Sequence, residues 1–497
     1  MTDSLSLLAS SGSSGKTTRK HPNKLADAIA RHVAFERASF HTPGHKGRSD
    51  LGWSSAGMQT QFQEREPLHD SVYGRDLTEL PGLDDLSDPD GILAELERRA
   101  AAVWGASQSI ISVNGASAAL AASMMALSSK GATVLVPRNA HRSIISGLVL
   151  SGLFPIWYEP VWDDNWGVWG PVSATCIGRL LDRCGSELAG LVVVSPTYAG
   201  ALSPIETIAQ LCREAGVPLL VDEAHGSHMI PQTVMPPTAL AAGADVVVHS
   251  LHKTLSALTQ TGILHVGGHS QVDPQSLRSA LGLLQSSSPS YPLMASVEQA
   301  IDLVGSKAGQ ELLSEMKRLS TEASQSIAQM QSFDQYQTAY GQDCAHILIS
   351  HRDGDADRLY QFLCERGIFP EAVLGRGVLF LLGVGSTDAD VACLTSTLRD
   401  FENPAGAGAT AYAAGTTSSR EREPAALRPP PIVQILSPRQ AMLMPSAVIP
   451  VHTVAGRIAA ELVAPCPPGV PVVVPGQRIP AEIVEFANLQ KLRVVIE

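Results

Sequence analysis

Short apolar runs alternate with helical segments through the first half of the chain, and this alternation constrains the fold more than any other feature. The runs are rich in Val, Ile and Leu, are bounded mostly by Gly, Pro or Asp, and lie at 110–113, 132–136, 191–194, 219–221, 246–248 and 263–266. Helical spacing or small-residue content predicts helices over 90–104, 116–127, 143–150 and 206–215. Buried strands separated by helices are typical of a mostly parallel, doubly wound sheet, so we expect an α/β fold.

The rest of the chain divides by composition and by pattern. A long helix is predicted over 296–331, and strands alternate with helices again over 344–400. Residues 403–431 are rich in Gly, Ala, Pro and Thr, which is typical of a linker or loop. We predict five units: a flexible, Ser-rich tail (1–20), a large domain with its N-terminal segment (21–295), a smaller α/β domain (296–402), a linker or loop (403–431) and a C-terminal segment (432–497).

Charge and cysteine content argue against several classes of protein. Lys and Arg number 36 and Asp and Glu 48, so the 497-residue chain has a net charge of −12, which argues against a nucleic-acid partner. Its seven cysteines form no C-x-x-C pair, which argues against a disulfide framework and a thiolate zinc site. No apolar run reaches the roughly 18 residues of a membrane helix, and no signal peptide is recognisable. We therefore expect a cytoplasmic protein without a membrane partner.

Polar residues follow two predicted strands and open a helix after a third. Residues 222–225 follow one apolar run, residues 249–254 follow the next, and residues 114–117 lie between a strand and a helix. Ligands of open α/β sheets bind outside the carboxyl ends of the strands. The three segments are therefore expected to meet at one cleft.

The residue types at these strand ends suit pyridoxal phosphate. This cofactor needs a lysine for a Schiff base, a carboxylate for its pyridinium nitrogen and an anion-binding turn for its phosphate. Lys253 and Asp222 fit the first two roles, and Ala224 is small enough to pack beneath a flat ring. The turn from Gly115 through Ala116 and Ser117 opens a helix, where free N–H groups and the helix dipole attract a phosphate.

At this point the sequence resembles a known family, the fold-type I pyridoxal-phosphate decarboxylases that act on ornithine, lysine or arginine. The matching motifs occur in the family's order and span about residues 40 to 480. They are HTPGHKG at 41–47, GLDDL at 82–86, VNGAS at 113–117, RNAHRS at 138–143, SPTY at 195–198, DEAH at 222–225, SLHK at 250–253 and PCPPGVP at 465–471. The resemblance implies an aspartate aminotransferase-like large domain and a smaller C-terminal α/β domain.

The resemblance also implies a role for individual residues. Lys253, Asp222 and His141 would be catalytic. Lys253 would form the Schiff base with the cofactor, Asp222 would hold the proton of the pyridinium nitrogen, and His141 would stack on the cofactor ring. The phosphate would be bound by Ala116, Ser117, Ser250 and His252. Ser287, within the stretch 286–288, would reach the phosphate of a neighbouring subunit, because the family is at least dimeric with the site at the interface.

The chain departs from the family in three respects. It lacks the receiver-like N-terminal domain of the longer members, so their higher assembly is not implied. Cys466 stands where the family usually has a tyrosine, and Gln477 where it often has a glutamate. These segments lie near the substrate entrance in relatives, so the identity of the substrate is open.

We expect decarboxylation of a basic amino acid in polyamine metabolism, with lysine ahead of arginine and then ornithine. Asp76, Glu79 and Glu223 are candidates for binding the distal cation. One alternative keeps the cofactor but makes the protein an aminotransferase or aldolase. Aminotransferases of this fold usually bind the substrate carboxylate with an arginine of the C-terminal domain, and Arg376 or Arg457 could be mistaken for that arginine. The other alternative is a non-catalytic homologue that binds a partner.

Two further patterns are rejected as sites. Residues 12–17 resemble a phosphate-binding P-loop, but Ser10 stands where that motif needs glycine. Glu223, His225 and His228 suggest a metal cluster, yet the H-E-x-x-H spacing is missing, so we expect no metal.

Overall fold

The computed structural model of the chain describes residues 38–40, 84–402, 428–483 and 490–496. The predicted tail 1–20, the motif at 41–47 and most of the predicted linker 403–431 lie outside the described residues, as do Asp76 and Glu79. Within the described part of the chain, no helix combines the length and the apolar character that a membrane crossing requires.

The described elements of the first half confirm the predicted alternation. After β1 (Ala38–Phe40), the strands are β2 (Gln108–Ser112), β3 (Thr133–Pro137), β4 (Phe154–Tyr158), β5 (Trp162–Asp163), β6 (Val168–Trp169), β7 (Leu188–Val194), β8 (Leu219–Asp222), β9 (Val246–Ser250) and β10 (Gly262–Val266). The helices are α1 (Ile92–Trp104), α2 (Gly115–Leu127), α3 (Arg142–Ser151), α4 (Ala174–Cys184), α5 (Ile205–Ala215), α6 (Leu251–Thr254) and α7 (Pro274–Gly282).

Seven of these strands form one sheet in the order β2-β10-β9-β8-β7-β3-β4. Strand β10 runs antiparallel to both of its neighbours, and every other pair is parallel. The mostly parallel sheet predicted from the sequence is therefore confirmed. Strands β2, β8 and β9 point the same way, so their carboxyl ends lie at one edge of the sheet.

The two faces of this sheet are covered by different sets of residues. Successive side chains of a strand point to opposite faces. Leu220 and Val248 belong to a core shared with α2, α3 and α7, whereas Val221 and Val247 belong to a larger core that continues into the C-terminal half. By the same alternation, Asp222 and Ser250 lie on the α2 side and His249 lies on the other.

The second half holds a smaller sheet in the order β11-β12-β15-β14, with one core running into it from the large sheet. Its strands are β11 (Phe333–Gln335), β12 (His346–His351), β14 (Ala372–Leu374) and β15 (Gly377–Leu381), while β13 (Ile368–Pro370) pairs with β1. Its helices are α8 (Tyr291–Val304), α9 (Lys307–Ala328), α10 (Ala356–Glu365) and α11 (Asp388–Glu402).

The prediction of one helix over 296–331 is wrong, because the chain forms α8 and α9 instead. Helix α8 ends at Val304, with Gly305 as its C-cap, and Ser306 caps α9 by accepting the N–H of Gly309 at 3.2 Å. A serine cap satisfies an N–H group that would otherwise lack a partner, so it stabilises a new helix start here. The predicted domain boundary at 295/296 lies within α8.

The C-terminal segment folds back onto the large domain. It contains β16 (Val433–Gln434), α12 (Pro438–Leu443), β17 (Ser446–Pro450), β18 (Gln477–Arg478) and β19 (Lys491–Val495). The N–H of Arg142 donates to the Gly469 carbonyl at 2.9 Å, and the buried Arg138 donates to the Pro471 carbonyl at 2.6 Å. The PCPPGVP motif is thereby held against the start of α3.

Candidate active site

The three polar segments that follow β2, β8 and β9 meet at one edge of the sheet. The Gln260 amide donates to the Val113 carbonyl at 2.9 Å, and the Ser250 N–H donates to the Ala224 carbonyl at 3.2 Å. Gly262, where β10 begins, lies so close to α2 that a Cβ there would approach the Ala116 nitrogen to 2.5 Å. The three segments therefore lie next to one another at this edge, where the sequence predicts a cleft.

Lys253 lies in α6, the short helix that follows β9, and it is partly buried. Its Nζ is 2.8 Å from Nε2 of His225. Burial lowers the pKa of Lys253 below the ordinary lysine value, although the charges of Asp222 and Glu371 act in the opposite direction. A lowered amine pKa enlarges the neutral fraction, which is the form that attacks a carbonyl carbon.

Asp222 is the last residue of β8 and is only 4% exposed. Its carboxylate accepts the N–H of Ala224 at 3.2 Å. Burial raises the pKa of Asp222, and the positive charge of Lys253 opposes this shift. The site thus holds a buried carboxylate close enough to the partly buried amine of Lys253 for their charges to interact.

His141 precedes α3 and caps it, since Nδ1 accepts the Ser143 N–H at 3.2 Å. Burial and the nearby charges of Lys253 and Arg142 lower the pKa of His141 to about 4. A neutral ring near Lys253 is suited to stacking on a flat, apolar ligand face. Gly469 lies against this ring, because a Cβ there would be 2.8 Å from Nε2 of His141.

The predicted phosphate site is the start of α2. Gly115 has φ +76°, and no side chain caps the helix. Ala116 is buried, whereas Ser117 is exposed at the first turn. Ser250 is buried nearby, and Nδ1 of His252 lies 3.1 Å from the Thr261 carbonyl. A 13-residue helix without a side-chain cap offers backbone N–H groups to an anion.

These donor groups together fit pyridoxal phosphate. The amine of Lys253 suits the aldehyde, the buried carboxylate of Asp222 suits a protonated pyridine nitrogen, and the uncapped N–H groups of α2 suit the phosphate. Ala224 is buried beside Asp222 and has no side chain long enough to fill the space that a ring needs.

One predicted site residue does not join this group. Ser287 is exposed in the segment after α7, and no hydrogen bond links it to Lys253 or to α2 of its own chain. Its neighbour Gln285 accepts the Val113 N–H at 2.9 Å, so the segment lies beside the turn into α2. The contact of Ser287 with a second subunit stays a prediction.

The expectation that Glu223 is a candidate for binding the distal cation of the substrate is wrong. It lies on the other face of the sheet from Asp222 and is buried there. Its carboxylate accepts hydrogen bonds from the Thr238 hydroxyl at 2.6 Å, the Ala239 N–H at 2.9 Å and Nε2 of His249 at 2.7 Å. We call Glu223, Thr238 and His249 the closed cluster, since its described bonds stay within the interior.

Two residues of the metal pattern rejected from the sequence have different partners. Glu223 pairs with His249, whereas His228 Nε2 lies 2.8 Å from Asp343. The two arginines named as possible carboxylate ligands lie elsewhere. Arg376 donates to the Asn165 carbonyl at 3.3 Å, and Arg457 is exposed.

Sequence reasoning missed two residues near Lys253. Glu371, between β13 and β14, accepts the Tyr198 hydroxyl at 2.9 Å, and its charge acts on Lys253. The Tyr198 ring stands edge-on to His225, with centroids 5.2 Å apart. Tyr198 belongs to the SPTY motif, but nothing in the sequence near Glu371 marks that residue as functional.

Three further buried side chains connect to Lys253 through His225. They are His346 and Asp343, which lie at and before β12, and His228, which follows the DEAH motif. We call Lys253, His225, His346, Asp343 and His228 the lysine-linked chain. Asp343 and His346 were missed because they lie about 90 residues beyond Lys253 in the sequence and share no motif with it.

Comparison with known proteins identifies relatives over the whole chain. Residues 23–347 match the family described as Orn/Lys/Arg decarboxylase, major domain, and residues 434–493 match its C-terminal domain. An arginine decarboxylase of Bacillus anthracis is 30% identical over 493 residues, which cover 96% of this chain and 94% of the relative. A lysine decarboxylase of Pseudomonas aeruginosa is 25% identical and covers 91% of this chain and 73% of the relative.

Solved structures share the fold. The constitutive lysine decarboxylase of Escherichia coli superposes with a TM-score of 0.70 at 20% identity, over 95% of this chain and 81% of that one. A sphingosine-1-phosphate lyase of Burkholderia pseudomallei superposes with a TM-score of 0.57 at 12% identity, over 78% of this chain and 92% of that one. The expected fold, that of fold-type I pyridoxal-phosphate enzymes, is confirmed.

Proposed function

Because the chain belongs to the Orn/Lys/Arg decarboxylase family, we propose that it decarboxylates a basic amino acid with pyridoxal phosphate as cofactor. The observation that carries the proposal is the meeting of the Lys253 amine, the buried Asp222 carboxylate and the uncapped start of α2 at one edge of the sheet. These three groups supply the contacts that this cofactor needs.

Each residue has a separate task in this proposal. Pyridoxal phosphate, when bound, accepts the electron pair of the Cα–carboxylate bond. Asp222 holds the proton of the ring nitrogen, and Lys253 binds the aldehyde carbon. His141 covers one ring face, while Ala116, Ser117, Ser250 and His252 hold the phosphate. Burial of Asp222 supports its task, because the charge of a carboxylate acts strongly on a nearby cation in a buried site and so favours the protonated ring nitrogen.

The reaction needs one proton for each turnover. Carbon dioxide leaves as a neutral molecule from a carboxylate, and the bonding pair that stays on Cα takes up a proton. We assign the delivery of that proton to Lys253, whose Nζ lies beside Asp222 and His225. A positioned amine of lowered pKa is suited to both gain and loss of a proton near neutral pH.

Glu371 is our candidate for recognising the positive charge of the substrate. Its charge acts on Lys253, and the Tyr198 hydroxyl orients its carboxylate. A guanidinium group can bind a carboxylate through two parallel hydrogen bonds, which an ammonium group cannot. Glu371→Gln removes the negative charge that would bind the substrate cation, so it is expected to raise KM more than it lowers kcat.

The similarity of the relatives supports arginine as the first substrate to test, followed by lysine and then ornithine. Arginine decarboxylases of Bacillus anthracis and Bacillus subtilis are 30% and 28% identical and extend over at least 94% of this chain. The lysine decarboxylase of Pseudomonas aeruginosa is 25% identical. This order replaces the one inferred from the motifs, which put lysine first. The amine product would enter polyamine metabolism.

We also propose that the protein is a cytoplasmic homodimer, or a higher assembly of such dimers. Leu283 is 76% exposed, so its apolar side chain is available for a contact with a second subunit. Leu283 lies four residues before Ser287, the residue predicted to reach a second subunit. The seven cysteines are free, which suits a reducing compartment. Light scattering of the purified protein measures the oligomeric state.

The test supplies pyridoxal phosphate to the purified protein and offers arginine, lysine and ornithine separately. Carbon dioxide and the amine product are measured. We expect release from one of the three, a loss of about 10³-fold or more in Lys253→Ala, and no change in Lys130→Ala, which alters an exposed lysine. Keto-acid formation instead would indicate an aminotransferase. Absence of both products and of the visible absorbance of bound cofactor would support a non-catalytic protein.

A further inference from the structure

The lysine-linked chain is continuous from the cleft into the small domain. Lys253 Nζ is 2.8 Å from His225 Nε2, and His225 Nδ1 is 3.1 Å from His346 Nε2. His346 Nδ1 is 2.6 Å from one Asp343 oxygen, and His228 Nε2 is 2.8 Å from the other. Both ring nitrogens of His225 and His346 are therefore occupied, so each ring can pass a proton from one nitrogen to the other.

The hydrogen bonds have one consistent direction when Asp343 is ionised. A carboxylate only accepts, so His346 Nδ1–H and His228 Nε2–H both donate to Asp343. His346 Nε2 then accepts from His225 Nδ1–H, and His225 Nε2 accepts from the Lys253 ammonium. When one proton moves from Lys253 toward His346, donor and acceptor exchange roles in the Lys253–His225 and His225–His346 hydrogen bonds. The hydrogen bonds to Asp343 stay as they are.

Asp343 and His228, at the inner end of the chain, are held in their charged forms. Burial alone would raise the pKa of Asp343, but His228 and His346 hold it well below its usual value. Burial would lower the pKa of His228, but Asp343 raises it to about 10. Asp343 is therefore an anion beside His346. Burial and the charge of Lys253 lower the pKa of His225 well below its usual value, so His225 conducts a proton without storing it.

We propose that this chain moves one proton between the Lys253 amine and the His346 imidazole, with Asp343 as a positioning residue that stabilises the charged ring. In the forward step an N–H bond of the Lys253 ammonium breaks as His225 Nε2–H forms. At the same time His225 Nδ1–H breaks as His346 Nε2–H forms. The products are a neutral amine and an imidazolium, and the return step reverses each bond.

This inference rests on the proposed function, which asks two opposite things of one amine. Lys253 must be neutral to attack a carbonyl carbon, and it must be protonated to deliver a proton to Cα. The groups facing Lys253 include Asp222, Glu371, Cys466, His225 and His141. Among these, His225 alone bonds to Nζ and leads to a second buried ring. His346 is buried, and a proton held on it is available for return to Lys253 through His225.

The experiment measures how fast Lys253 of the cofactor-free protein reacts with added pyridoxal phosphate. The second-order rate of appearance of the visible Schiff-base absorbance is recorded from pH 5.5 to 9.5. The variants are His346→Gln, which keeps a polar group beside His225 but cannot take up a proton, and Asp343→Asn, which removes the charge. Glu223→Gln in the closed cluster is the matched control, because it makes the same kind of change at a buried carboxylate without a bond to Lys253.

In His346→Gln and Asp343→Asn we expect the rate at pH 6.5 to fall about tenfold, the effect of a one-unit rise in the apparent pKa of the amine, with the plateau at high pH unchanged. Glu223→Gln should follow the wild-type curve. The proposal is overturned if both variants keep the wild-type pH dependence. It is also overturned if they react more slowly by the same factor at every pH, since this is the result of a merely structural role.

The outcome separates this inference from the proposed function. If the wild-type protein reacts with pyridoxal phosphate but releases no carbon dioxide, the proposed decarboxylation is wrong. The pH dependence of the reaction rate in the variants still tests the proton transfer. If neither variant folds, the wild-type reaction is measured in mixtures of light and heavy water. A curved dependence on deuterium content indicates two protons in flight and supports the chain, and a linear one overturns it.

Discussion

Two buried carboxylate–histidine groups lie beside the large sheet, and they differ in what they connect. The closed cluster joins Glu223 to His249 at 2.7 Å, and the lysine-linked chain joins Asp343 to His228 at 2.8 Å. Both pairs are almost fully buried. Only the lysine-linked chain reaches a reactive amine, because His346 and His225 lead from Asp343 to Lys253.

Burial of an acid beside an imidazole does not by itself indicate function. Glu223 satisfies a hydroxyl and a backbone N–H of its own loop, so it fixes local structure. Asp343 instead lies just before β12 and meets His228, which follows β8, so it links the two sheets. Connection to the reacting group, and not burial, distinguishes the two.

The largest expected effect separates two consecutive carboxylates. Asp222→Asn should lower the decarboxylase rate by on the order of 10²–10³-fold, because a neutral amide cannot hold the ring-nitrogen proton. Glu223→Gln should leave the rate within about threefold, because its hydrogen bonds lie on the other face of the sheet. Steady-state kinetics of both variants at saturating cofactor make the measurement. Equal losses of decarboxylase rate in Asp222→Asn and Glu223→Gln would contradict the assignment of the two carboxylates to opposite faces of the sheet.

The next effect is on stability. His228→Gln should lower the free energy of unfolding by about 3–5 kcal/mol near pH 6, because it leaves the Asp343 charge buried without its ionic partner. Glu223→Gln should cost about 1–3 kcal/mol, the range for leaving buried hydrogen-bond donors without an acceptor. Urea unfolding of both variants tests the order.

The pH dependence of the larger effect has a definite sign. The pKa of His228 is raised to about 10 from an unfolded value near 6.5, so its contribution is full below pH 6.5 and is lost as the pH rises through 10. The pKa of Asp343 is lowered, so its contribution is present above its unfolded value and is lost as the pH falls. The gap between wild type and His228→Gln should therefore be widest near pH 5–6 and shrink toward pH 10. A gap that widens toward pH 10 would contradict the ion pair.

The smallest expected effect concerns Gly469, which lies against the His141 ring. Gly469 and Gly456 have φ +77° and +79°, so alanine at either should cost about 1–2 kcal/mol of stability. A Cβ at Gly469 would be 2.8 Å from Nε2 of His141, whereas nothing lies within 4 Å of one at Gly456. Gly469→Ala should therefore also lower activity by about tenfold, because it displaces the ring. Activity lost equally in Gly456→Ala would indicate strain and not displacement.

Much of the fold, and the residues of the cleft that directly follow strands, could be predicted from the pattern of apolar runs in the sequence. Asp222, Lys253 and the turn at Gly115 each follow an apolar run within a few residues, so the topology of a parallel sheet brings them to one edge. The break at Gly305 was missed because the apolar spacing continues through both α8 and α9. The cap supplied by Ser306 was the signal that could have divided them.

The partners of Lys253 could not be predicted in the same way. His346, Asp343 and Glu371 approach it only because the small sheet packs on the large one, and no spacing rule relates them to β9. Glu223 was misplaced because it adjoins Asp222 in the sequence. Strand alternation, which puts neighbours on opposite faces, was available to separate the two.

The central prediction is that Lys253 is the lysine that holds the cofactor. The protein is incubated with pyridoxal phosphate, reduced with borohydride and digested, and the pyridoxyl-modified peptide is identified by mass spectrometry. We expect one modified residue, Lys253, and no pyridoxyl-modified peptide in Lys253→Ala treated in the same way. Modification of a different lysine, or equal labelling of several exposed ones, would contradict it.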